Sequence, residues 1–237
     1  MKNFKVRAYK PEDRAAIRKI CCDTGFLGKP IDPVFQDREL FTDYLTRYYT
    51  DKEPETSMVL HQDGAVMGYI LGCRFPQRQK KFDRWLIPQL VVRGLWNYIF
   101  KYNKASKKFV HWIVTQGRKQ IPYTPENMAH FHINLLPSAR GLAQTLMLVE
   151  SFLQILANTG ESKVYGQMVV FETRRGEKMF ARYGFEVVDK VEITKYRDVY
   201  PTPVYLFTII KDLKVNPSIY DSSLPHDHSC CHECKHH

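Results

Sequence analysis

The strand–turn–helix segment AHFHINLLPSARGLAQTLM, residues 129–147, constrains the fold more than any other stretch of the chain. Its first half alternates as a β-strand does, and its second half opens a helix whose apolar residues recur every three or four positions. That apolar series consists of Leu142, Leu146, Val149, Leu153 and Leu156. The short turn between the two halves predicts a helix that follows its strand directly, as in sheets covered by helices.

The segments on either side predict the same class of fold. Residues 4–24 read as a strand followed by a helix, and Asp63-Gly64 predicts a type I′ turn between two strands. After Gly160 the pattern gives a strand, a short helix that ends at Gly184, and two further strands. Strands and helices alternate in the centre of the chain, and hairpins lie at both ends. This order predicts an α/β (α+β) fold, with a mixed central sheet flanked by helices.

Residues 74–125 differ from their surroundings and predict a helical insertion. The basic runs RFPQRQKK and KYNKASKK lie within them, together with all three tryptophans, Trp85, Trp96 and Trp112. Such a segment could serve as a substrate lid, a dimer surface or an element that touches a membrane. It could equally pack its tryptophans and leucines against the rest of the chain.

The charge balance is basic, with 35 Lys and Arg against 25 Asp and Glu, a formal net charge of +10. This balance favours phosphates, nucleic acid, acidic cofactors or anionic membrane surfaces, and is equally compatible with an ordinary basic surface. The N-terminus has no apolar signal segment, and the apolar run at 85–100 is shorter than a bilayer-spanning helix of about 20 residues. We therefore expect a cytoplasmic protein without a transmembrane span, with its six cysteines as reduced thiols.

The turn at residues 137–141 has the properties of a phosphate cradle. The first N–H groups of the following helix lack helical acceptors and stand at the positive end of the helix dipole. Gly141 and Ala143 are small enough to let a ligand approach the backbone, and Arg140 adds a charged donor. Many strand–turn–helix units share part of this pattern, so the turn alone leaves an ordinary loop open.

The order of elements around this turn resembles the GNAT acetyltransferase superfamily. The run RGLAQT at 140–145 is similar to the family's Arg/Gln-x-x-Gly-x-Gly/Ala signature, and RYGFEVV at 182–188 resembles the Gly-Phe end of its last helix. The resemblance covers residues 4–73 loosely and 129–211 well, and it implies a GNAT-like fold that takes acetyl-CoA as cosubstrate. The implied cofactor-binding residues are Leu135, Leu136, Arg140, Gly141, Leu142, Ala143, Gln144, Thr145 and Thr173.

The sequence departs from the family's pattern within the signature and in the last helix. Ala143 stands at the signature's first glycine, and Thr145 stands at its final small residue. Thr173 and Phe180 occupy the positions of an asparagine that contacts the cofactor and a tyrosine that protonates the leaving thiolate. Because phenylalanine cannot donate a proton, Tyr183 is the candidate acid, with an ordinary packing role as the alternative.

His130, His132 and Asn134 share one face of the predicted strand, because side chains alternate along a strand. In GNAT folds this strand runs beside the acetyl group, and AHFH is similar to the His-x-His of arylalkylamine N-acetyltransferases. The resemblance implies that His130 and His132 relay the proton of an incoming amine to water. They could instead be core histidines bound to a backbone carbonyl, and Glu172 and Tyr165 are further candidates for the base or a substrate contact.

Residues 216–237 predict a flexible tail rich in cysteine and histidine. Its candidate metal ligands are His226, His228, Cys230, Cys231, His232, Cys234 and His236. These side chains would bind zinc or another transition metal as a flexible chelate. Adventitious metal binding, metal sensing or delivery, and the remnant of a purification tag are explanations that the sequence leaves open.

The sequence as a whole predicts one acetyltransferase domain over residues 1–215, which moves acetyl from acetyl-CoA to a primary amine of a small acceptor. Transfer would be direct, in a ternary complex, and a homodimer is compatible with the insertion. No specific nucleic acid partner is expected, because no nucleic-acid-binding motif is recognised. The alternative is a catalytically degenerate GNAT-like domain that binds CoA, a partner or a metal, and Thr145, Thr173 and Phe180 favour it.

Overall fold

The computed structural model describes residues 3–171 and 173–213. In this part of the chain the strands are β1 (Phe4–Ala8), β2 (Met58–Gln62), β3 (Ala65–Cys73), β4 (Ala129–Leu135), β5 (Lys163–Val170), β6 (Glu186–Glu192) and β7 (Tyr205–Asp212). The helices are α1 (Arg14–Thr24), α2 (Arg38–Lys52), α3 (Pro76–Phe100), α4 (Lys104–Thr115), α5 (Leu142–Asn158) and α6 (Thr173–Arg182). This order confirms the predicted strand–helix alternation.

The strands of the described chain form one sheet in the order β1-β2-β3-β4-β5-β7-β6. β4 and β5 are parallel, and every other neighbouring pair is antiparallel, which confirms the predicted mixed sheet. Asp63 and Gly64, between β2 and β3, have φ angles of 50° and 85°. Both residues therefore take the left-handed conformation that the predicted type I′ turn requires.

Helices cover both faces of the sheet. α1 and α2 pack on the face that carries Tyr69 and Leu71 of β3, and α5 packs on the opposite face. Phe152 of α5 is fully buried there, with its ring centroid 5.6 Å from that of Phe131 in β4. The apolar series predicted for α5 meets the core in its second half, where Val149, Leu153 and Leu156 are buried.

The sheet opens between its two parallel strands. β4 and β5 pair only through residues 129–131 and 164–166, although β4 continues to Leu135 and β5 to Val170. β3 and β7 hold the outer edges of these two strands along their length. The facing edges of β4 and β5 therefore diverge, and they leave unpaired backbone on both sides of a cleft that points towards the start of α5.

The predicted helical insertion is formed by α3 and α4, and one acidic residue ties it to α2. Asp37 caps the N-terminus of α2 and also accepts hydrogen bonds from Asn97 Nδ2 and Tyr102 Oη, both at 2.8 Å. On the inner side of α3, Leu86 and Leu90 are buried. A capping carboxylate with two further donors fixes the insertion relative to α2.

α4 packs against the connection between α1 and α2 and against the connection between β6 and β7. Phe109 of α4 is buried in an apolar cluster with both segments, and Trp112 Nε1 donates to Thr194 Oγ1 at 2.9 Å. Trp85 and Trp96 are instead more than half exposed. Among the three tryptophans, the packing explanation therefore holds for Trp112 alone.

Two expectations from composition concern the cysteines and the membrane. Cys21, Cys22 and Cys73 are buried free thiols, as expected, and Cys230, Cys231 and Cys234 lie outside the described residues. Within residues 3–171 and 173–213, no helix combines the length and the apolar character needed to cross a membrane.

Candidate active site

The N-terminus of α5 presents free backbone donors at the wide end of the β4–β5 cleft. Gly141, the N-cap, has extended dihedral angles of φ −124° and ψ 157°, and no side chain caps the helix. Within the described chain the N–H groups of Leu142, Ala143 and Gln144 have no hydrogen-bond acceptor. The exposed Leu142 belongs to this first turn, so the turn is open to an anion rather than buried in the core.

Arg140 holds this turn in place through two backbone carbonyls. Its Nε donates to Leu135 O at 2.9 Å, and its Nη2 donates to Gly28 O at 2.8 Å. Gly28 has a φ of 82°, and a Cβ there would lie 2.3 Å from Arg140 Nη1, so only glycine fits this contact. The sequence predicted that Arg140 donates hydrogen bonds to a phosphate. In the structure its guanidinium links the end of β4 to the loop after α1.

Tyr183 and Thr145, two residues singled out by the sequence, lie together on the α5 side of the sheet. Burial raises the pKa of the Tyr183 phenol, and a hydrogen bond with the Thr145 side chain partly opposes that shift. Phe180 is buried in the core, its ring centroid 6.2 Å from that of Phe207. Thr173 begins α6, and Glu172 lies outside the described residues. The candidate proton donor next to this site is therefore Tyr183, in the turn just after α6, rather than Phe180.

The two histidines share one face of β4, as the alternation predicted, and this face looks towards α1 and α2. The His130 ring lies between those of Tyr49 and Tyr165, with centroid distances of 6.2 and 5.1 Å. The His132 ring lies beside that of Tyr69 at 5.6 Å. The Nδ1 atoms of both histidines are buried without a hydrogen-bond partner in the described part of the chain. The structure thus brings the pair together but separates it from Tyr183, which packs on the other face.

Asn134 links His132 to Tyr69. Its Nδ2 donates to Tyr69 Oη at 2.9 Å and lies 3.3 Å from His132 Nε2. In this amide orientation Nε2 accepts, so a neutral His132 carries its proton on Nδ1. Tyr69 stands opposite Asn134 in the β3–β4 ladder. The contact was not predicted, since it depends on strand register rather than on local pattern.

Burial controls the protonation of the histidine pair. Removal from water lowers the pKa of His130 and of His132 to about 4, although backbone groups of Met128 and Leu45 oppose the shift. Both rings are therefore neutral at neutral pH, and each offers a lone pair rather than a charge. A neutral imidazole can receive a proton, but at this pKa it must pass the proton on rather than store it.

The histidine pair predicts that the folded chain loses stability as the pH falls from 6.5, the ordinary histidine pKa, towards about 4. In this window the unfolded rings bind protons and the folded rings do not, so protonation favours unfolding. Between about pH 7 and about pH 5 we expect a loss of roughly 2 kcal/mol for each histidine. Urea denaturation at the two pH values measures the loss, and a His130→Gln variant should show a smaller one. Equal unfolding free energies at both pH values would contradict the predicted protonation states.

The predicted metal site cannot be placed. All seven proposed ligands, from His226 to His236, lie outside the described residues. Within residues 3–171 and 173–213, no group of three or more His, Cys, Asp or Glu side chains is arranged to hold a metal ion.

Comparison with known proteins gives the fold a family context. No family model and no curated protein matches the chain. Among solved structures, the protein SsHAT is 25% identical, with a TM-score of 0.55 over 89% of this chain and 98% of that one. An N-acetyltransferase from Staphylococcus aureus Mu50 is 16% identical, with a TM-score of 0.52 over 90% and 99%. A GNAT superfamily phosphinothricin acetyltransferase from Sinorhizobium meliloti, in complex with AcCoA, is 14% identical, with a TM-score of 0.53 over 93% and 97%. The chain therefore has the fold of GNAT-superfamily N-acetyltransferases.

Proposed function

We propose that the chain moves the acetyl group of acetyl-CoA directly to a primary amine of a small acceptor. The observation that carries this proposal is the cleft between β4 and β5, which ends at the free N–H groups of α5. Acetyl-CoA has matching parts, an extended amide-bearing arm and a pyrophosphate. The acetyl-CoA complex of the Sinorhizobium meliloti enzyme, which shares the fold, supports the same cosubstrate.

The cofactor would lie along the diverging edge of β4. The pantetheine amides would pair with the unpaired edge of β4 at residues 132–135, as an added strand does, since the Leu136 N–H already donates to Met67 O. The pyrophosphate would accept from the N–H groups of residues 142–144, where the helix dipole favours a negative charge. In this arrangement Arg140 positions the turn through the Leu135 and Gly28 carbonyls. Thr145, on the next position, would stand beside this site together with Tyr183.

The reaction needs few groups from the protein. The amine must first lose its ammonium proton, and its nitrogen then attacks the thioester carbonyl carbon. A free N–H at the cleft would stabilise the oxygen of the tetrahedral intermediate. As the intermediate collapses, the C–N bond remains, the C–S bond breaks, and the proton released by the nitrogen ends on the CoA thiolate. Tyr183, on the α6 side of the sheet, is the proposed donor of that proton, which it would regain from the nitrogen through water.

His132 is the proposed first acceptor of the ammonium proton. Its neutral ring sits on β4 one residue beyond the last pair between β4 and β5, where the cleft begins. Asn134 and Tyr69 hold the ring from one side, and its buried Nδ1 has no partner in the described chain. For Nδ1 to accept the proton, the Asn134 amide must turn so that its oxygen faces Nε2, and the ring must then carry its own proton on Nε2. His130 lies two residues further from the cleft, so we assign it the next place in the relay to water.

A covalent acetyl-cysteine route is less well supported than direct transfer. Cys73 pairs with His130 in the β3–β4 ladder, the position that a thiol nucleophile with a histidine base would need. Burial, however, raises the pKa of the Cys73 thiol, and the nearby Glu53 carboxylate raises it further. A thiol that stays protonated is a poor nucleophile, so the amine itself is the better attacking group.

A binding module without catalysis is the second candidate function. The observation that favours it is the buried Phe180, which occupies the place of the expected acid and packs near Phe207 instead of facing the cleft. Such a module would retain the cleft and the α5 turn. It would bind acetyl-CoA but would not transfer the acetyl group, so no free CoA thiol would form. The two functions differ in one measurable step, thiol release.

Calorimetric titration with acetyl-CoA, followed by detection of free thiol in the presence of a panel of primary amines, tests the proposal. We expect an affinity on the order of micromolar and amine-dependent thiol release. Binding without thiol release for any amine would support the binding module. Absence of binding would contradict both candidate functions.

A further inference from the structure

The positive charge of the chain is concentrated in the insertion. Residues 76–120 contain eleven Lys or Arg and a single acidic residue, Asp83, which leaves a formal charge of +10. That value equals the net charge of the whole chain, +10. The remaining residues are therefore neutral in sum, and the net charge that would attract an extended anionic surface lies in this segment.

α3 has a second apolar face that no part of the described chain covers. Its inner side buries Leu86 and Leu90, and its opposite side exposes a series of large apolar residues, interrupted by Pro88 and Gln89. This outer α3 face consists of Trp85, Val91, Val92, Leu95, Trp96 and Ile99. Val92 is 70% exposed, Leu95 60% and Trp96 61%. Fourteen residues separate its ends, about 20 Å along a helix, which is too long a stripe to be scattered surface apolar residues.

Both ends of the outer α3 face are basic. Arg78, Lys81 and Arg84 are exposed on the turns before Trp85, and Lys101 and Lys104 are exposed just after the helix ends. An apolar stripe with two tryptophans and cationic ends has the composition of helices that lie in the plane of a membrane interface. The cations would reach lipid phosphates while the apolar side chains enter the acyl boundary.

We propose that the outer α3 face docks on an anionic lipid bilayer, with α3 parallel to the membrane surface. The basic ends supply long-range attraction to negatively charged headgroups, and the apolar side chains supply the burial that retains the protein. This peripheral contact requires no spanning helix.

The same residues argue against two other occupants. A second copy of the chain would place Lys and Arg against Lys and Arg in either orientation of paired α3 helices, because both ends are basic. Nucleic acid would satisfy the cations and could stack on the tryptophans. It would leave the exposed aliphatic residues Val91, Val92, Leu95 and Ile99 without a role.

The tryptophans make the proposal directly measurable, since all three lie in the insertion. The full chain is mixed with vesicles of phosphatidylcholine alone and of phosphatidylcholine with phosphatidylserine, and fluorescence and co-sedimentation are recorded. Val92→Glu disrupts the outer α3 face, and Val188→Glu is the matched control, since Val188 is 41% exposed on β6. Thermal unfolding of both variants checks that they fold.

With vesicles that contain phosphatidylserine, and only with these, we expect a blue shift of the tryptophan fluorescence and co-sedimentation of the protein. The affinity for these vesicles should fall by about tenfold or more for Val92→Glu and stay unchanged for Val188→Glu. If the protein binds neither kind of vesicle, the proposal is wrong. If the protein binds RNA, and Val92→Glu binds it equally well, the segment is a nucleic-acid surface and the proposal is also wrong. A dimer in light scattering that Val92→Glu dissociates would assign the face to a second copy.

Discussion

Replacing Ala143 by glutamate is expected to weaken acetyl-CoA binding by roughly a hundredfold, because the new carboxylate would face the pyrophosphate at the α5 turn. Ala143 is exposed in the first turn, and its N–H has no acceptor in the described chain. Glutamate in a first helical turn favours the helix itself by about 0.3–1 kcal/mol. The variant should therefore be at least as stable as the original chain, and calorimetry would isolate the loss of affinity.

Gln154→Glu is the matched control for this experiment. It adds the same charge to an exposed position of the same helix, eleven residues from Ala143, or about 16 Å along the axis. Its affinity for acetyl-CoA should stay within about twofold at physiological salt, where charges beyond about 8 Å are largely screened. An Ala143→Glu variant that binds acetyl-CoA normally would refute the assignment of residues 142–144 as the phosphate site.

Arg140 is a less clean probe of the same site. Its guanidinium hydrogen-bonds the Leu135 and Gly28 carbonyls, so its removal would free the loop after α1 as well as change the charge. A drop in affinity for an Arg140 variant could then follow from a displaced turn. Substitution at Ala143 changes the electrostatics of the turn and leaves these contacts in place.

The sequence predicted those features of the site that are determined by a few neighbouring residues. Alternation placed His130 and His132 on one face of β4, and the Asp63-Gly64 dipeptide gave the hairpin, because both rules act over a few residues. The partners of these residues were not predictable in the same way. Asn134 meets Tyr69 only through the register of β3 on β4, which the whole sheet determines.

Long-range contacts also decided the role of residues that the pattern had singled out. Arg140 bonds to Gly28, 112 residues earlier in the chain, a contact without a signal in either segment alone. The burial of the tryptophans also depends on long-range contacts. The sequence shows that all three lie in the insertion, but it does not show which of them is buried. Trp112 is partly buried in the apolar cluster around Phe109, and its N–H donates to Thr194 in the β6–β7 connection.

Replacing His132 by glutamine is expected to lower kcat by about a hundredfold to a thousandfold with an active amine, while acetyl-CoA affinity stays unchanged. The loss follows from removing the first acceptor of the ammonium proton beside the cleft. Glutamine keeps a polar group near Asn134, so the Asn134–Tyr69 contact should persist and the variant should fold. His111→Gln, an exposed histidine on α4, is the matched control and should retain full activity.

A merely structural role for His132 predicts a different set of results. In that case His132→Gln would lose stability before activity, and turnover per folded molecule would persist, which would refute the relay. His132→Ala sharpens the distinction, because it leaves a space beside the cleft into which free imidazole can bind. If His132 accepts the proton, added imidazole should restore part of kcat in His132→Ala and should have no effect on the original chain. Residual activity of both variants should rise with pH, since the amine must then lose its proton directly to solvent.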